Sequence, residues 1–430
     1  MPTSPQSGTP PRYVLLILTL VFAFSFLDRV IFNVLLEPIR REFDLSDTVM
    51  GLLSGFAFVA FYTLLSFPVS RWADRGDRRT IVSLGLVLWS AMTTFSGLVT
   101  SVTQLALARI FVGVGESTGS APVHSLLSDY FPKEKRTRAF GVFSGGLHVG
   151  VLLGYLIGGL VGQALGWRAA FFVAGVPGLL LALLLRLTVQ EPVRGQVDAA
   201  AVERVPESLG KSIRQLFRSR TYRLVVLGGT LGAIVVYALN TWEATFLRRL
   251  HGFDGRQIGL VAGVIKGLAG LGGALLGGYL VQRFSRVDER NVLRFPAYAT
   301  GLAGGLLLLF LFGTSTPLAL VGLGGFTFLI AVHIGVLWGV AQTVSPVRHR
   351  ALAAAVLTSS SNLIGHSLGS SVPGILNDVL KPSYGDEAIR YSLLVAGGVA
   401  VLTGFVLWRA ATSVATDARR ALETTQLPQA

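Results

Sequence analysis

The chain contains no cysteine in 430 residues, so it has no disulfide framework, no thiolate nucleophile and no cysteine-ligated metal. Charge is nearly as scarce: 14% of the residues are Asp, Glu, Lys or Arg, against 51% hydrophobic ones. Absent as well are a glycine loop ending in a phosphate-binding lysine, a serine nucleophile elbow and any histidine spacing suited to a metal. These absences set aside nucleotide-driven machines and membrane enzymes acting on lipid head groups. The reading is no enzyme, no cofactor and no metal, with a proton gradient as the energy source. A net charge of +14 would invite nucleic acid in a soluble protein, but the distribution of the basic residues explains it otherwise.

What the chain has is apolar runs, near 13–36, 49–70, 81–100, 103–129, 138–164, 168–188, 222–249, 256–282, 292–313, 317–344, 350–378 and 389–411. Each is long enough to cross a bilayer, since about 20 apolar residues span the hydrocarbon core. The fold class is therefore an all-α polytopic membrane protein with about 12 transmembrane helices in two six-helix halves. The polar start, Met1 to Pro11, is followed by no small-residue cleavage site, so the first span is expected to stay rather than be removed as a signal peptide. With both termini placed in the cytoplasm, most of the 37 Lys and Arg fall on the cytoplasmic side, among them Arg71, Arg75, Arg78, Arg79, Lys133, Lys135, Arg283, Arg286 and Arg348. That matches the positive-inside rule and accounts for the surplus charge without a polyanion. The expected division is a tail over 1–12, a first half over 13–188, a linker over 189–221, a second half over 222–411 and a C-terminal tail over 412–430. The linker carries Pro206 and a stretch from Ser208 to Arg218 that reads as a short amphipathic helix on the inner membrane surface.

One span stands out. Phe26, Leu27, Asp28 and Arg29 put a carboxylate and a guanidinium side by side inside an apolar run, where each charge costs about 2.5–3.5 kcal/mol on insertion scales. Two readings follow: an ion pair that pins helix packing, or a carboxylate that takes up and releases a proton beside a charge that cannot titrate.

The halves echo each other. Ala73, Asp74, Arg75, Gly76, Asp77, Arg78 and Arg79 follow the second span, and a basic stretch from Gly277 to Arg286 follows the eighth. Glycines recur every four residues in the second, fifth, eighth and eleventh spans: Gly51 and Gly55; Gly146, Gly150, Gly154 and Gly158; Gly259, Gly263 and Gly267; Gly365 and Gly369. Such spacing lines one helix face with small residues, either for static packing or for surfaces that shift as the protein works.

The loop Asp74 to Arg79 resembles the signature between the second and third helices of the major facilitator superfamily, with Ser70 where a glycine is usual. Arg109 to Glu116 in the fourth span is similar to a second motif of that superfamily. Gly150, Gly154, Gly158 and Gly159 resemble its antiporter motif, with Tyr155 in place of proline, and Trp167 to Phe171 resembles the start of its sixth helix. Within it, Leu27-Asp28-Arg29, Phe43 to Asp47, Gly51 to Phe58, Trp89-Ser90, Gly113 to Glu116 and His124 to Pro132 resemble the Spinster family. The resemblance implies a proton-coupled carrier of amphipathic lipids, lysophospholipid or sphingoid-phosphate-like, working by alternating access. It implies that Asp28, Arg29, Arg109 and Glu116 carry proton coupling, and that Asp74, with Arg75, Arg78 and Arg79, latches the cytoplasmic side. Gln282 stands where the second half would repeat that acid, so the latch is expected to be lopsided.

Other polar groups sit within spans: Asn240, Trp242 and Glu243 in the seventh, Lys266 in the eighth, His333 in the tenth, Asn362 and His366 in the eleventh. With Phe58 and Tyr62, the first five of these and Asn362 are candidate substrate-binding residues. Glu243 and Lys266 either pair across the second half, where the ammonium can meet an anionic head group, or Glu243 lies near the outer surface beside Arg248 and Arg249. The histidines suit packing as well as proton relay, and the aromatics either line an acyl-chain cavity or face lipid. The expected partners are the bilayer, protons and an amphipathic substrate, for a monomer in a bacterial inner membrane. A proton antiporter of hydrophobic drugs and a small organic-acid transporter are the alternatives.

Overall fold

A computed structural model describes residues 9–192, 209–346 and 349–426. Pro206, Ser208, Arg348 and nearly all of the N-terminal tail therefore lie outside the described residues. Among those described, the chain is helical, because in hydrocarbon a backbone must satisfy its own N–H and C=O groups. Among the described residues, nine helical segments are long and apolar enough to cross a membrane, and one of them, Arg350–Ala411, holds the last two spans. The third span, Arg78–Ser96, and the fourth, interrupted by a 3-10 turn at Ser117–Gly119, complete the twelve anticipated.

The boundaries follow local chemistry. Asp77 Oδ1 accepts from the Thr80 backbone N–H at 2.7 Å to start the third span, and Ser101 and Ser219 cap the fourth and seventh in the same way. Gly252, at φ 65°, ends the seventh helix in a left-handed turn that a Cβ would strain. Asp254 and Gln257 then form a reciprocal capping box that opens the eighth. Leu180, Leu183 and Leu187 on the sixth span point outward and exposed, as lipid-facing residues do.

The chain forms two compact units. Of the described residues, one comprises 9–45, 57–192 and 253–263; the other comprises 46–56, 209–252, 264–346 and 349–426. Within the first, the first span packs on the fifth and the third packs on the fourth and sixth. The second repeats these pairings six spans later, seventh on eleventh and ninth on tenth and twelfth, as expected of a duplicated helix set. The glycine ladders show why. A Cβ on Gly150 would meet the Ala23 carbonyl oxygen at 2.2 Å, and one on Gly154 would meet Val30 at 2.7 Å, so these glycines seat the fifth span on the first. Gly365 and Gly369 lie correspondingly against Ala233 and Ile234 of the seventh.

The second and eighth spans behave differently, and their starts at the end opposite the chain termini belong to the unit built from the other half of the sequence. Gly51 rests on the Ser370 backbone within one unit, and Gly259 rests on Tyr155 and Gly159 within the other. The residues leading into the seventh span, Leu209–Leu216, form a short helix with Leu216 buried and Lys211 and Arg214 exposed.

Candidate functional site

Two buried charge clusters lie within spans, one in each unit. In the first, Arg29 Nε and Nη2 donate to Glu116 Oε2 at 2.8 and 2.6 Å, and Ser25 Oγ donates to the same oxygen at 2.9 Å. Asp28 is 3% exposed and Arg109 3%. Asp28 lies beside the Thr93 hydroxyl, with Arg109, Arg29 and Glu116 close enough to act on its charge. Its Oδ1 has no hydrogen-bond partner among the described residues. Both guanidiniums lie over aromatic rings, Arg29 over Phe58 at 4.8 Å and Tyr62 at 5.3 Å, Arg109 over Phe32 at 4.4 Å and Phe58 at 5.3 Å. Such stacking offsets part of the desolvation cost of a buried cation. The cluster borders a crevice of about 30 Å3 lined by Ser25, Arg29, Tyr62, Trp89 and Glu116, room for about one water. The first and fourth spans thus bring two carboxylates and two guanidiniums together, with the Thr93 hydroxyl from the third and rings from the first, Phe32, and the second, Phe58 and Tyr62.

In the second cluster Lys266 Nζ donates to Asn240 Oδ1 and to Glu243 Oε1, each at 2.5 Å. Glu243 is fully buried rather than at a surface beside Arg249, and Lys266 keeps 8% of its side chain exposed. Phe58 and Tyr62 lie in the first unit, and the other sequence candidates are spread through the second. Trp242 is fully buried and donates to the Ser370 carbonyl at 2.9 Å, and Asn362 accepts from the Tyr237 hydroxyl at 3.4 Å. His333 is buried with Nε2 against Gly232. His366 stacks on Tyr237 with ring centroids 3.7 Å apart.

At the end of the spans near the termini, Asp74 and Arg75 are exposed, while Arg78 is 2% exposed. Arg78 pairs with Asp129 at 2.5 Å and Glu191 at 2.6 Å and also donates to Ser125 Oγ at 2.7 Å. Burial pushes the Asp77 carboxyl up, but hydrogen bonds from the Thr80 backbone and from Arg79 outweigh it and hold the group below the usual carboxylate range. Sequence reasoning missed Thr93, Ser25, Asp129 and Glu191 as partners. Each is an ordinary polar residue in a loop or on a helix face, and only the fold brings it to its charge.

The model of the Major Facilitator Superfamily matches residues 18–370. This chain belongs to the Major Facilitator Superfamily. Several relatives align with most of it. An MFS-type efflux pump of Mycolicibacterium smegmatis is 29% identical over 400 residues, covering 91% of this chain and 90% of the relative. The human protein spinster homolog 1 is 29% identical over 444 residues, covering 96% and 83%. A crystal structure of a bacterial homolog to the human lysosomal transporter Spinster, inward-facing and unoccupied, matches with TM-score 0.81 at 28% identity, covering 99% of this chain and 100% of that one. This superfamily member is a multi-pass membrane protein and a secondary transporter, similar to the Spinster family.

Proposed function

We propose that this major facilitator couples proton movement to alternating-access transport of an amphipathic lipid with an anionic head group, in a bacterial inner membrane with both termini cytoplasmic. The observation that carries the coupling is the cluster of Asp28, Arg29, Arg109 and Glu116. Three buried ionisable groups, Asp28, Arg109 and Glu116, with the partly exposed Arg29 beside them are expensive within spans, and two acids facing two bases can exchange partners when a proton arrives. Asp28 Oδ1 and Glu116 Oε1 both lack a hydrogen-bond partner among the described residues; Glu116 is already held by Arg29, so Asp28 Oδ1 is the position assigned to that proton. Lys266 supports the anionic class: its ammonium is held by Asn240 and Glu243, and a phosphate head group can take the carboxylate's place. The Asp74 to Arg79 loop is the proposed cytoplasmic latch.

The test is proton flux in proteoliposomes loaded with a pH-sensitive dye, with lysophospholipid, sphingoid phosphate, a cationic hydrophobic drug and a small organic acid supplied in turn. Proton movement driven by either lipid supports the reading. Movement driven by the drug supports drug–proton antiport, the reading favoured by the likeness to the mycobacterial efflux pump. Movement driven only by the small acid overturns the lipid cargo.

A further inference from the structure

Where the second span begins, at the end opposite the termini, four polar side chains close on one another within a single compact unit. Asp47 accepts two hydrogen bonds from Arg249, from Nη1 at 2.6 Å and Nη2 at 2.7 Å, with side chains 5% and 8% exposed. Asn377 Nδ2 donates to Asp47 Oδ2 at 2.9 Å, and its own Oδ1 accepts from Ser392 at 2.5 Å. Asp378 turns both oxygens to the start of the same helix, accepting from the Asp47 backbone N–H at 3.1 Å and from that of Thr48 at 2.7 Å. A carboxylate there meets the positive end of the helix dipole. Behind this ring the packing is tight and uncharged: a Cβ on Gly51 would stand 2.6 Å from the Ser370 carbonyl oxygen, and one on Gly374 would stand 2.4 Å from that of Asp47.

The position of the ring sets it apart from ordinary surface pairing. It ties a helix from the first half of the sequence to the seventh and eleventh spans of the second half. From Ala57 onward that same span belongs to the other unit. The corresponding exchange, of the eighth span's start onto the fifth, joins Gly255 and Gly259 to Gly159 and Gln163 with no charged group in the contacts that the glycines make. Both exchanged contacts thus use close glycine packing, and the second span's start adds a ring of charge to it. Charge-assisted hydrogen bonds suit a contact that must break, because both partners are re-solvated by water when they part, whereas a dry apolar seam exposes itself.

We infer that Asp47, Arg249, Asn377 and Asp378 form the releasable latch of an outer gate, holding the outer end of the second span on the seventh and eleventh when the outside is shut. The inference rests on the alternating-access reading above. It adds a charged device at the end of the second span remote from Asp74, so that one helix carries a latch at each end.

The cysteine-free chain makes the test direct. Ser371→Cys places a thiol behind the ring, at a residue 7% exposed whose hydroxyl reaches the Gly51 carbonyl at 3.4 Å. An impermeant maleimide added outside whole cells reads its accessibility. In that background Arg249→Met is expected to raise the labelling rate roughly tenfold, Asp378→Asn severalfold, and Arg249→Lys less than Arg249→Met, because it keeps the charge but loses the fork. Monodisperse elution of each variant checks folding, and Asp378→Asn, the mildest change, decides the matter should Arg249→Met aggregate. Rates within about twofold of the parent in folded variants overturn the latch. Faster labelling in the variants, with no response of the parent to lysolipid or to a pH gradient, keeps the latch and overturns the proton-coupled lipid reading instead.

Discussion

Arg29 is committed to Glu116. Two nitrogens of its guanidinium reach one carboxylate oxygen, at 2.8 and 2.6 Å, across from the first span to the fourth, and Glu116 has no exposed side-chain surface. Asp28, next to Arg29 in the chain, keeps an oxygen without a hydrogen-bond partner among the described residues. Glu116 Oε1 is likewise without one, so the two acids differ in the load on Glu116 Oε2, which accepts from Arg29 and Ser25 and makes Glu116 the structural counter-charge and Asp28 the more available acid.

Removing the counter-charge is expected to cost more than removing the available acid. Glu116→Gln leaves a guanidinium 14% exposed without its anion and should lower stability by about 2–3 kcal/mol, below the range for a fully buried pair because Arg29 is partly solvated. Asp28→Asn should cost less. Thermal unfolding in detergent checks the order, and a larger loss for Asp28→Asn would contradict the assignment.

Glu243 and Lys266 allow a cleaner separation of stability from binding. Lys266→Met strands a fully buried carboxylate and is expected to destabilise by about 3–5 kcal/mol, whereas the double change with Glu243→Leu should recover most of that loss. If Lys266 holds the head group, the recovered double variant folds yet loses lipid-driven flux. Flux at the parent level in that variant would remove Lys266 from the substrate site.

How much of this was legible in the chain depends on where the charge lies. Asp28, Arg29, Arg109 and Glu116 stand out because a charge inside an apolar run has no cheap explanation. The pairing of Glu243 with Lys266 stayed open in sequence, since it turns on depth: one precedes the Gly252 turn and the other follows it, and only the paired hairpin shows that they are level. Asp47, Arg249, Asn377 and Asp378 sit at span ends, where charges are commonplace, and nothing local marks them. The exchange of the second and eighth span ends was equally invisible, because Gly51 and Gly259 look like Gly150 and Gly365 although they pack on different partners. The π-helical turns at Ile157–Val161, Ile258–Ala262 and Ser361–His366 leave no mark in residue periodicity either.

The glycine face of the fifth span gives a packing test. Gly150→Ala places a methyl 2.2 Å from the Ala23 carbonyl oxygen and is expected to cost about 1–3 kcal/mol or to prevent folding. Gly145→Ala, five residues earlier with nothing within 4 Å of the new methyl, should be neutral or stabilise by up to about 1 kcal/mol. Equal effects would mean that the first and fifth spans do not approach as described.

Outside the spans, burial pushes the Glu42 carboxyl up, but hydrogen bonds from Trp167 Nε1 and Arg168 outweigh it and hold it below its ordinary value. A depressed carboxylate contributes stability that is present above its unfolded value, near 4.5, and is lost as pH falls through the folded one. Glu42→Gln should therefore lower the unfolding temperature at neutral pH and converge with the parent in strong acid. A gap that persists at low pH would assign the effect to packing.

The central claim is that Asp28 carries the transported proton, and substrate exchange measured beside proton flux tests it most directly. Asp28→Asn, reconstituted into liposomes, should still exchange labelled lysolipid across the membrane at equal concentrations, because exchange needs only binding and alternation. It should also fail to move protons when a lysolipid gradient is imposed. Proton flux at the parent rate in Asp28→Asn would contradict the account, leaving the cluster of Asp28, Arg29, Arg109 and Glu116 as packing alone.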